Sequence, residues 1–288
     1  MNLKKVAVMV CMVCASMVFA GEKIAVKEGE KIAFLGDSIT QAGNRPGGYV
    51  QLVVSGLNSL DLKVTHHGAG ISGHKSNDML RRLQGHVINH KPNWMTLSCG
   101  VNDVWHNARG RGVDLPDYKK NITEIVDKAQ AAGIKVMILT STMIYEDPQH
   151  KLNINLAPYN EFLRELAKEK KCLLADLNAN MQSQLKEMPP AKGRHKNRLT
   201  TDGIHMNAKG NIMMARGILK AFGLSEKDMA KVEVAWMNDT EIVRMHIPFS
   251  ISRAEEKKFK EAGKGDVRRE LENYIKENRE AILKEIMK

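Results

Sequence analysis

The chain reads KIAFLGDSIT from Lys31 to Thr40. Four apolar residues, Ile32 to Leu35, end at Gly36, and a run of this length and boundary is typical of a buried strand. Ser38 follows the strand directly, so rigid backbone would hold its hydroxyl at the edge of a sheet. A serine hydroxyl is a weak nucleophile until a neighbouring base takes its proton. Because Gly-Asp-Ser also occurs in ordinary turns and helix caps, this stretch predicts the strand but needs other motifs to indicate catalysis.

Short apolar runs alternate with helix-length segments from this strand to about Gly223. The further predicted strands are 62–66, 94–99, 134–140 and 172–175, and the predicted helices are 47–59, 76–90, 115–132, 155–170 and 207–222. Strands separated by helices of this length indicate βαβ units and a parallel sheet covered on both faces. Ligands bind beyond the carboxyl ends of the strands in such sheets. The segments predicted at that edge are 36–45, 67–74, 99–107 and 141–150.

Three more motifs accompany Gly-Asp-Ser, and the first two of them are predicted to lie at this edge. The glycine-rich run Gly68–Gly73 is placed after the second strand, where glycines allow backbone N–H groups to approach a ligand. Asn102 and Asp103 follow the third strand and bring a side-chain amide to the same edge. Asp202 and His205 stand three residues apart before the last helix of the alternating region. Each motif alone fits a turn or a helix start, but the four in this order indicate a catalytic site.

The order of these motifs resembles that of the GDSL esterases, also called SGNH hydrolases, and the resemblance extends from about residue 31 to 222. It implies a flavodoxin-like three-layer α/β/α sandwich with a five-stranded parallel sheet. It also implies that Ser38 is the nucleophile, that His205 is the base and then the acid, and that Asp202 orients the histidine. The implied oxyanion hole consists of the N–H groups of Ser38 and Gly70 and the side-chain amide of Asn102.

Several further residues near this edge are candidates for contact with the substrate. Two acidic residues belong to the motifs themselves, and a tryptophan follows the asparagine motif closely enough to form a pocket wall. Four basic residues between positions 192 and 198 have no acid among them. Such a run is usually a solvated loop, and the alternative is that it recognises an anionic substrate. The candidates are Asp37, Asp103, Trp105, Arg194 and Arg198.

The expected substrate follows from the family and from the predicted location of the protein. Exported proteins that resemble this chain often deacetylate glycans, and no long apolar lid segment is visible that would shelter a fatty acyl chain. We therefore expect a secreted serine esterase that hydrolyses carboxylic esters, with O-acetyl groups on a carbohydrate as the leading substrate. One alternative is a lysophospholipase or thioesterase acting on acyl lipids, and another is a non-catalytic glycan-binding protein. No cofactor is expected, and His86 and His90 have no third ligand that would predict a metal site.

The first twenty residues have the composition of a signal peptide. Lys4 and Lys5 precede an uncharged run from Val6 to Ala20, and small residues stand before Gly21, where a signal peptidase would cleave. A bilayer-spanning helix takes roughly 20 apolar residues, so this run is too short to span comfortably. The sequence thus predicts export to the periplasm or beyond, with no membrane insertion after cleavage.

The composition limits the partners of the exported chain. The full chain has 44 Lys and Arg residues against 33 Asp and Glu and a formal net charge of +11, which falls to +9 when Lys4 and Lys5 are removed with the signal peptide. A basic protein favours anionic surroundings, but an exported chain without a recognisable nucleic-acid motif is not expected to bind nucleic acid.

Only Cys99 and Cys172 would remain after cleavage. Both border predicted strands, which favours free thiols over a disulfide.

Two regions are predicted after the signal peptide, an SGNH hydrolase domain at 21–223 and a mostly helical C-terminal extension at 224–288. From Ala254 onward the sequence is rich in charges of both signs and carries apolar residues near one helical face. Such a helix could form a homo-oligomer or dock on a partner. The favoured interpretation is that it packs on its own domain.

Overall fold

The computed structural model describes residues 24–107, 110–190 and 197–238, together with isolated positions between 257 and 278. Five strands form one parallel sheet in the order β2-β1-β3-β4-β5. The strands are β1 Lys31–Gly36, β2 Thr65–Gly70, β3 Trp94–Ser98, β4 Lys135–Leu139 and β5 Leu173–Ala175. The predicted five-stranded parallel sheet is thus confirmed, and its strand order is the flavodoxin-like one.

Helices cover both faces of the sheet. They are α1 Ser38–Gly43, α2 Tyr49–Asn58, α3 Ser76–His86, α4 Val101–Trp105, α5 Leu115–Ala131, α6 Lys151–Glu169, α7 Leu177–Glu187, α8 Ala208–Ala221 and α9 Glu226–Asn238. A short 3₁₀ turn, Ile88–His90, follows α3. One layer contains α2, α7, α8 and α9, and the other contains α3, α5 and α6. Within the described ranges, no helix is both long and apolar enough to cross a membrane.

The apolar strand that begins the domain is an interior strand of the sheet, next to the edge strand β2. Ile32 to Leu35 of β1 are fully buried, between β2 on one side and β3 on the other. The chain leaves β1 toward one edge of the sheet and leaves β3 toward the other, which makes the gap between their carboxyl ends the switch point of the topology. Ligands bind at this point in doubly wound sheets. Ser38 follows β1 here, and Asn102 follows β3.

The second strand differs from its prediction. We predicted residues 62–66, whereas β2 is Thr65–Gly70, so the glycine run begins inside the strand instead of following it. Asp61 and Lys63 have positive φ angles of 60° and 47° and form a turn before the strand. Because β2 is an edge strand in which only Ala69 is buried, it has no apolar pattern by which to recognise it.

Three helices were not predicted. The helices α1 and α4 have only 6 and 5 residues, too few to show a 3.6-residue apolar repeat. The helix α7 is longer, and its buried residues Leu177, Met181 and Leu185 recur every four positions. Its remaining positions are mostly polar, and two are asparagine, which favours turns over helix. Our prediction also began α6 four residues late, at 155 instead of Lys151.

The chain divides into two compact units, one ending at Val243 and the other spanning Arg244–Lys288. The helix α9 packs against α2 and α8 of the first unit. The predicted boundary at Gly223 stays a prediction. In the second unit the described positions are helical at Lys257, Glu261, Glu270, Asn273, Tyr274 and Glu277. The rest of the predicted C-terminal helix and the whole predicted signal peptide lie outside the described residues.

Candidate active site

Ser38 is the first residue of α1, and the turn before it is fixed by packing and by a cap. The Asp37 carboxylate accepts a hydrogen bond of 2.9 Å from the backbone N–H of Ile39. A side chain at Gly36 would collide with the Thr40 side chain, whose hydroxyl is 2.8 Å from that of Tyr49. The strand and this tight turn therefore hold the half-buried Ser38 side chain at the edge of the sheet.

Ser38, His205 and Asp202 form one chain of hydrogen bonds. The His205 Nε2 atom lies 2.8 Å from Ser38 Oγ, and His205 Nδ1 lies 2.6 Å from Asp202 Oδ2. The other carboxylate oxygen of Asp202 accepts from the backbone N–H groups of Ile204 and His205, at 2.9 Å and 2.8 Å. With Nδ1–H donated to the carboxylate, the Nε2 lone pair faces the serine hydroxyl. A general base requires this geometry.

The hydrogen bonds around Asp202 keep its carboxylate charged. Partial burial raises the pKa of this group, but the hydrogen bonds from the His205 ring and from the backbone N–H groups of His205 and Ile204 lower it further, so that the pKa falls below its usual range. An ionised carboxylate at this position stabilises an imidazolium and fixes the tautomer of the ring. The arrangement can thus take a proton from Ser38 and hold it on His205.

Gly70 and Asn102 lie at the same edge as Ser38. Gly70 ends β2, and a Cβ atom there would collide with the backbone of Gln41 in α1, so only glycine allows the strand to approach α1 this closely. Asn102 is buried at the start of α4, and its side-chain amide donates to the backbone oxygen of His74 at 3.1 Å. The same amide nitrogen is 3.5 Å from an Asp37 carboxylate oxygen.

A buried arginine joins the two sides of the site, and we did not predict it. Arg82 on α3 donates to the backbone oxygen of Gly36 at 2.8 Å and to His74 Nδ1 at 3.0 Å. It thereby links the turn before Ser38 to the segment that holds the Asn102 amide. Burial and the charge of Arg82 lower the pKa of His74, which keeps this ring neutral. The signal in the sequence was a charge on the helical face that also carries Met79 and Leu83.

Glu146 fastens the segment that leads to Asp202 and His205. Its nearly buried carboxylate accepts hydrogen bonds of 2.6 to 2.8 Å from the N–H groups of Arg198, Leu199 and Thr200 and from the Thr200 hydroxyl. We placed residues 141–150 at this edge of the sheet but singled out none of them. No motif marks Glu146, because its partners are backbone groups more than fifty residues away.

The predicted substrate contacts of Asp37 and Asp103 are wrong, and that of Arg198 stays a prediction. Asp37 and Asp103 are only 3% and 0% exposed, because Asp37 caps α1 and Asp103 accepts hydrogen bonds from the N–H and hydroxyl of Ser76. The Arg198 guanidinium donates to the backbone oxygens of Leu185 and Met188, so it anchors a loop. Arg194 lies outside the described residues. Trp105 is half-buried with its ring 5.5 Å from that of His106, and its contact with substrate stays a prediction.

The two cysteines in the described part of the chain are free thiols, as favoured from the sequence. Cys99 is buried and Cys172 is half-buried. Among the residues that the structure describes, no cluster of three or more His, Cys, Asp or Glu side chains could hold a metal ion.

Asp37→Asn is expected to stabilise the protein increasingly as the pH rises from 4 to 7. Burial, reinforced by the nearby Asp103 charge, raises the pKa of Asp37 from 3.8 to about 6. A carboxyl whose pKa is raised in the folded state makes the protein less stable as the pH rises from its pKa in the unfolded state to its pKa in the folded state. For Asp37 the free energy of unfolding should fall by about 3 kcal/mol in total. Asparagine retains the cap on Ile39 and has no charge. Urea unfolding of both proteins across this pH range measures the effect, and a difference that does not change with pH would exclude it.

The fold and the hydrogen-bonded Ser38–His205–Asp202 chain are those of a serine hydrolase. The sequence model of the GDSL-like lipase/acylhydrolase family matches residues 34–211, more than half of the chain, and the protein belongs to that family. It is accordingly a carboxylic ester hydrolase, which confirms the class expected from the motifs.

The similarity to individual relatives extends over almost the whole length of those relatives. An acetylxylan esterase from Geobacillus stearothermophilus is 28% identical over 216 residues, which are 69% of this chain and 96% of that enzyme. The crystal structure of Axe2, an acetylxylan esterase from the same organism, superposes with a TM-score of 0.63 at 28% identity and covers 70% of this chain and 97% of its own. The acetyl xylan esterase AlAXEase is 36% identical with a TM-score of 0.62, covering 66% of this chain and 98% of its own.

Proposed function

We propose that this protein is an exported acetylesterase that removes O-acetyl groups from a carbohydrate, with Ser38, His205 and Asp202 as its catalytic residues. The observation that carries the proposal is the 2.8 Å contact between Ser38 Oγ and His205 Nε2, which joins residues from opposite ends of the domain. The carbohydrate substrate is supported by the similarity to acetylxylan esterases. Catalytic mutants of Axe2 replace a serine, an aspartate and a histidine, the last two three positions apart, as Asp202 and His205 are.

The reaction proceeds in two steps. Ser38 Oγ attacks the acetyl carbonyl carbon while His205 Nε2 takes the hydroxyl proton, and the carbonyl electron pair moves onto the oxygen. When this intermediate collapses, His205 returns the proton to the departing sugar oxygen, which leaves an acetyl-serine. A water molecule, deprotonated by His205, then attacks the acetyl carbonyl carbon, and when this second intermediate collapses, His205 returns the proton to Ser38 Oγ and acetate is released. Asp202 stabilises the imidazolium in both steps without taking its proton.

The oxyanion formed in each step requires donors that are already in place. We assign this role to the N–H groups of Ser38 and Gly70 and the side-chain amide of Asn102. Donors fixed in advance stabilise the transition state more than the ground state, because the site needs no reorganisation as charge develops. The hydrogen bonds from Arg82 to Gly36 and His74 help to hold these donors in position.

Asn102→Ala is expected to lower kcat by about 10²- to 10³-fold with little change in KM, because the lost donor acts chiefly on the transition state. Steady-state kinetics with p-nitrophenyl acetate measures both constants. If KM alone changed, Asn102 would be a binding residue and its assignment to the oxyanion hole would be wrong.

Glu146→Ala is expected to lower kcat by about 10²-fold, because small displacements of a catalytic group have effects of this size. Glu146→Gln retains the oxygen that accepts from Leu199 and Thr200, so its activity should lie between those of the wild type and the alanine variant. The rate of inactivation by a serine-reactive phosphonate should fall in parallel with kcat. Loss of thermal stability with an unchanged inactivation rate would show that Glu146 supports the fold only.

The substrate proposal is tested by acetate release from a panel of acetylated polysaccharides, neutral and acidic, with Ser38→Ala as the blank. We expect release by the wild type alone. A series of nitrophenyl esters of increasing acyl length distinguishes the proposed acetylesterase from the acyl-lipid hydrolase alternative. An acetylesterase prefers the acetyl ester, and a lipid hydrolase prefers octanoyl or longer esters. Wild-type protein that hydrolyses long-chain esters and releases no acetate from any glycan would refute the proposal.

Export is tested by fractionating cells that express the full chain, in which the enzyme should be found outside the cytoplasm.

A further inference from the structure

Tyr145 has a backbone conformation that large side chains rarely adopt. It follows β4 at the edge of the sheet that carries Ser38, and its φ angle is +59°. Bulky residues at positive φ are strained, and they persist where surrounding contacts over-determine them. Asn153 supplies such contacts, because its side chain bonds both backbone groups of Ile144 at 2.8 Å and the backbone oxygen of Asp147 at 2.7 Å. The Tyr145 N–H donates to the backbone oxygen of Gly203 at 2.6 Å.

These contacts place the Tyr145 ring against the catalytic loop. A Cβ atom on Gly203, whose own φ is +95°, would collide with the ring. Gly203 stands between Asp202 and His205, and its Cα atom lies at most about 7.6 Å from that of His205, two residues on. The ring is thus within reach of a substrate whose ester carbonyl is at Ser38.

The ring is also open to solvent. Tyr145 is 37% exposed, and the His150 ring meets it edge-on at 4.9 Å and an interplanar angle of 73°. An exposed aromatic side chain in a strained conformation beside reactive groups is not explained by packing. Tyrosine is a rigid amphipathic surface, with an apolar ring and a polar hydroxyl. The C–H groups on one face of a pyranose form a matching apolar surface, and its hydroxyls remain in water.

We propose that Tyr145 is a sugar-binding residue that packs against a pyranose ring of the substrate, either the ring that bears the acetyl group or its neighbour. This inference rests on the proposed function, since the group that would extend from Ser38 toward the Tyr145 ring is the sugar attached to the acetyl group. The strained backbone serves to direct the ring toward the catalytic loop.

The test compares Tyr145→Ala and Tyr145→Phe on two substrates, short acetylated xylooligosaccharides and p-nitrophenyl acetate. The quantity measured is kcat/KM for the oligosaccharide divided by kcat/KM for the nitrophenyl ester. Tyr145→Ala should lower this ratio about tenfold, equivalent to about 1.4 kcal/mol, whereas Tyr145→Phe retains the ring face and should remain within about twofold of the wild type. Met237→Ala removes a side chain from α9 that is 76% exposed, and as a control it should leave the ratio unchanged.

Binding supplies a second measurement that does not depend on turnover. In the Ser38→Ala background, calorimetry with deacetylated xylooligosaccharide should show an approximately tenfold weaker Kd when Tyr145→Ala is added. The role of the ring face would be overturned if the ratio were unchanged in Tyr145→Ala, as it would be when kcat/KM falls in proportion on both substrates. It would also be overturned if Tyr145→Phe lowered the ratio as much as Tyr145→Ala. If Tyr145→Ala instead altered the preference for octanoyl over acetyl esters, the ring would contact an acyl chain and the proposal would be wrong. Failure of the proposed function is distinguishable, because the wild type would then release no acetate from glycans at all.

Discussion

Replacing Ser38 by alanine is expected to lower kcat for p-nitrophenyl acetate by about 10⁶-fold, the effect of removing a serine nucleophile in a comparable triad. The substitution removes one hydroxyl whose hydrogen bond is to His205 Nε2. Because the Ser38 side chain is half-buried at the start of α1, its loss leaves no large cavity. The variant should therefore unfold at the same urea concentration as the wild type.

Ser59→Ala is the matched control for this variant. Ser59 follows α2, where its hydroxyl donates to the backbone oxygen of Gly56 at 2.8 Å, and its replacement should leave kcat unchanged. Substantial turnover by folded Ser38→Ala protein would show that another group attacks the ester. A variant that is inactive because it is unfolded would be recognised from its circular dichroism, and Ser38→Cys would then be used to test the position with an alternative nucleophile.

Asp202→Asn is expected to lower kcat by about 10⁴-fold while the loop retains its structure. The asparagine oxygen can still accept from the N–H groups of Ile204 and His205, as Asp202 Oδ1 does. The new NH₂ group, however, faces His205 Nδ1, where the carboxylate oxygen stood at 2.6 Å. The imidazole must then carry its proton on Nε2, so it presents a donor to Ser38 where a base is required.

The two variants differ in how they respond to a phosphonate inhibitor. Asp202→Asn keeps its nucleophile and should be labelled slowly at Ser38, whereas Ser38→Ala should not be labelled at that peptide. Asp202→Asn protein with wild-type kcat would mean that the 2.6 Å contact to His205 has no role in catalysis.

The sequence predicted the sheet and the positions of its motifs, because these depend on local patterns. The apolar run at 32–35 fits a strand that is buried on both faces of the sheet. In a parallel sheet the residues that follow β1 and β3 must lie at the same edge. The approach of His205 to Ser38 followed only from the resemblance, since 167 positions separate them. The strand order places Ser38 at the switch point, and the hydrogen bond to Ser38 brings His205 to the same point.

Other features could not be predicted, because they depend on contacts between distant segments. Asp37 and Asp103 belong to the motifs, but their burial is set by packing of α1 and α3, and so they were mistaken for substrate contacts. Glu146 bonds mainly to backbone groups, which any sequence presents, and Arg82 bonds to one backbone oxygen and to the His74 ring, which lies in another segment. The edge strand β2 is mostly exposed, so neither its limits nor the position of Gly70 within it has an apolar signature.

The measurement that tests the central claim most directly is mass spectrometry of the intact protein and its peptides after treatment with a fluorophosphonate. If His205 activates Ser38, the wild type should gain one adduct, on the peptide that contains Ser38, with complete loss of esterase activity. The rate of labelling should fall by orders of magnitude in His205→Ala. An adduct on a different residue, or full esterase activity in protein labelled at Ser38, would contradict the assignment.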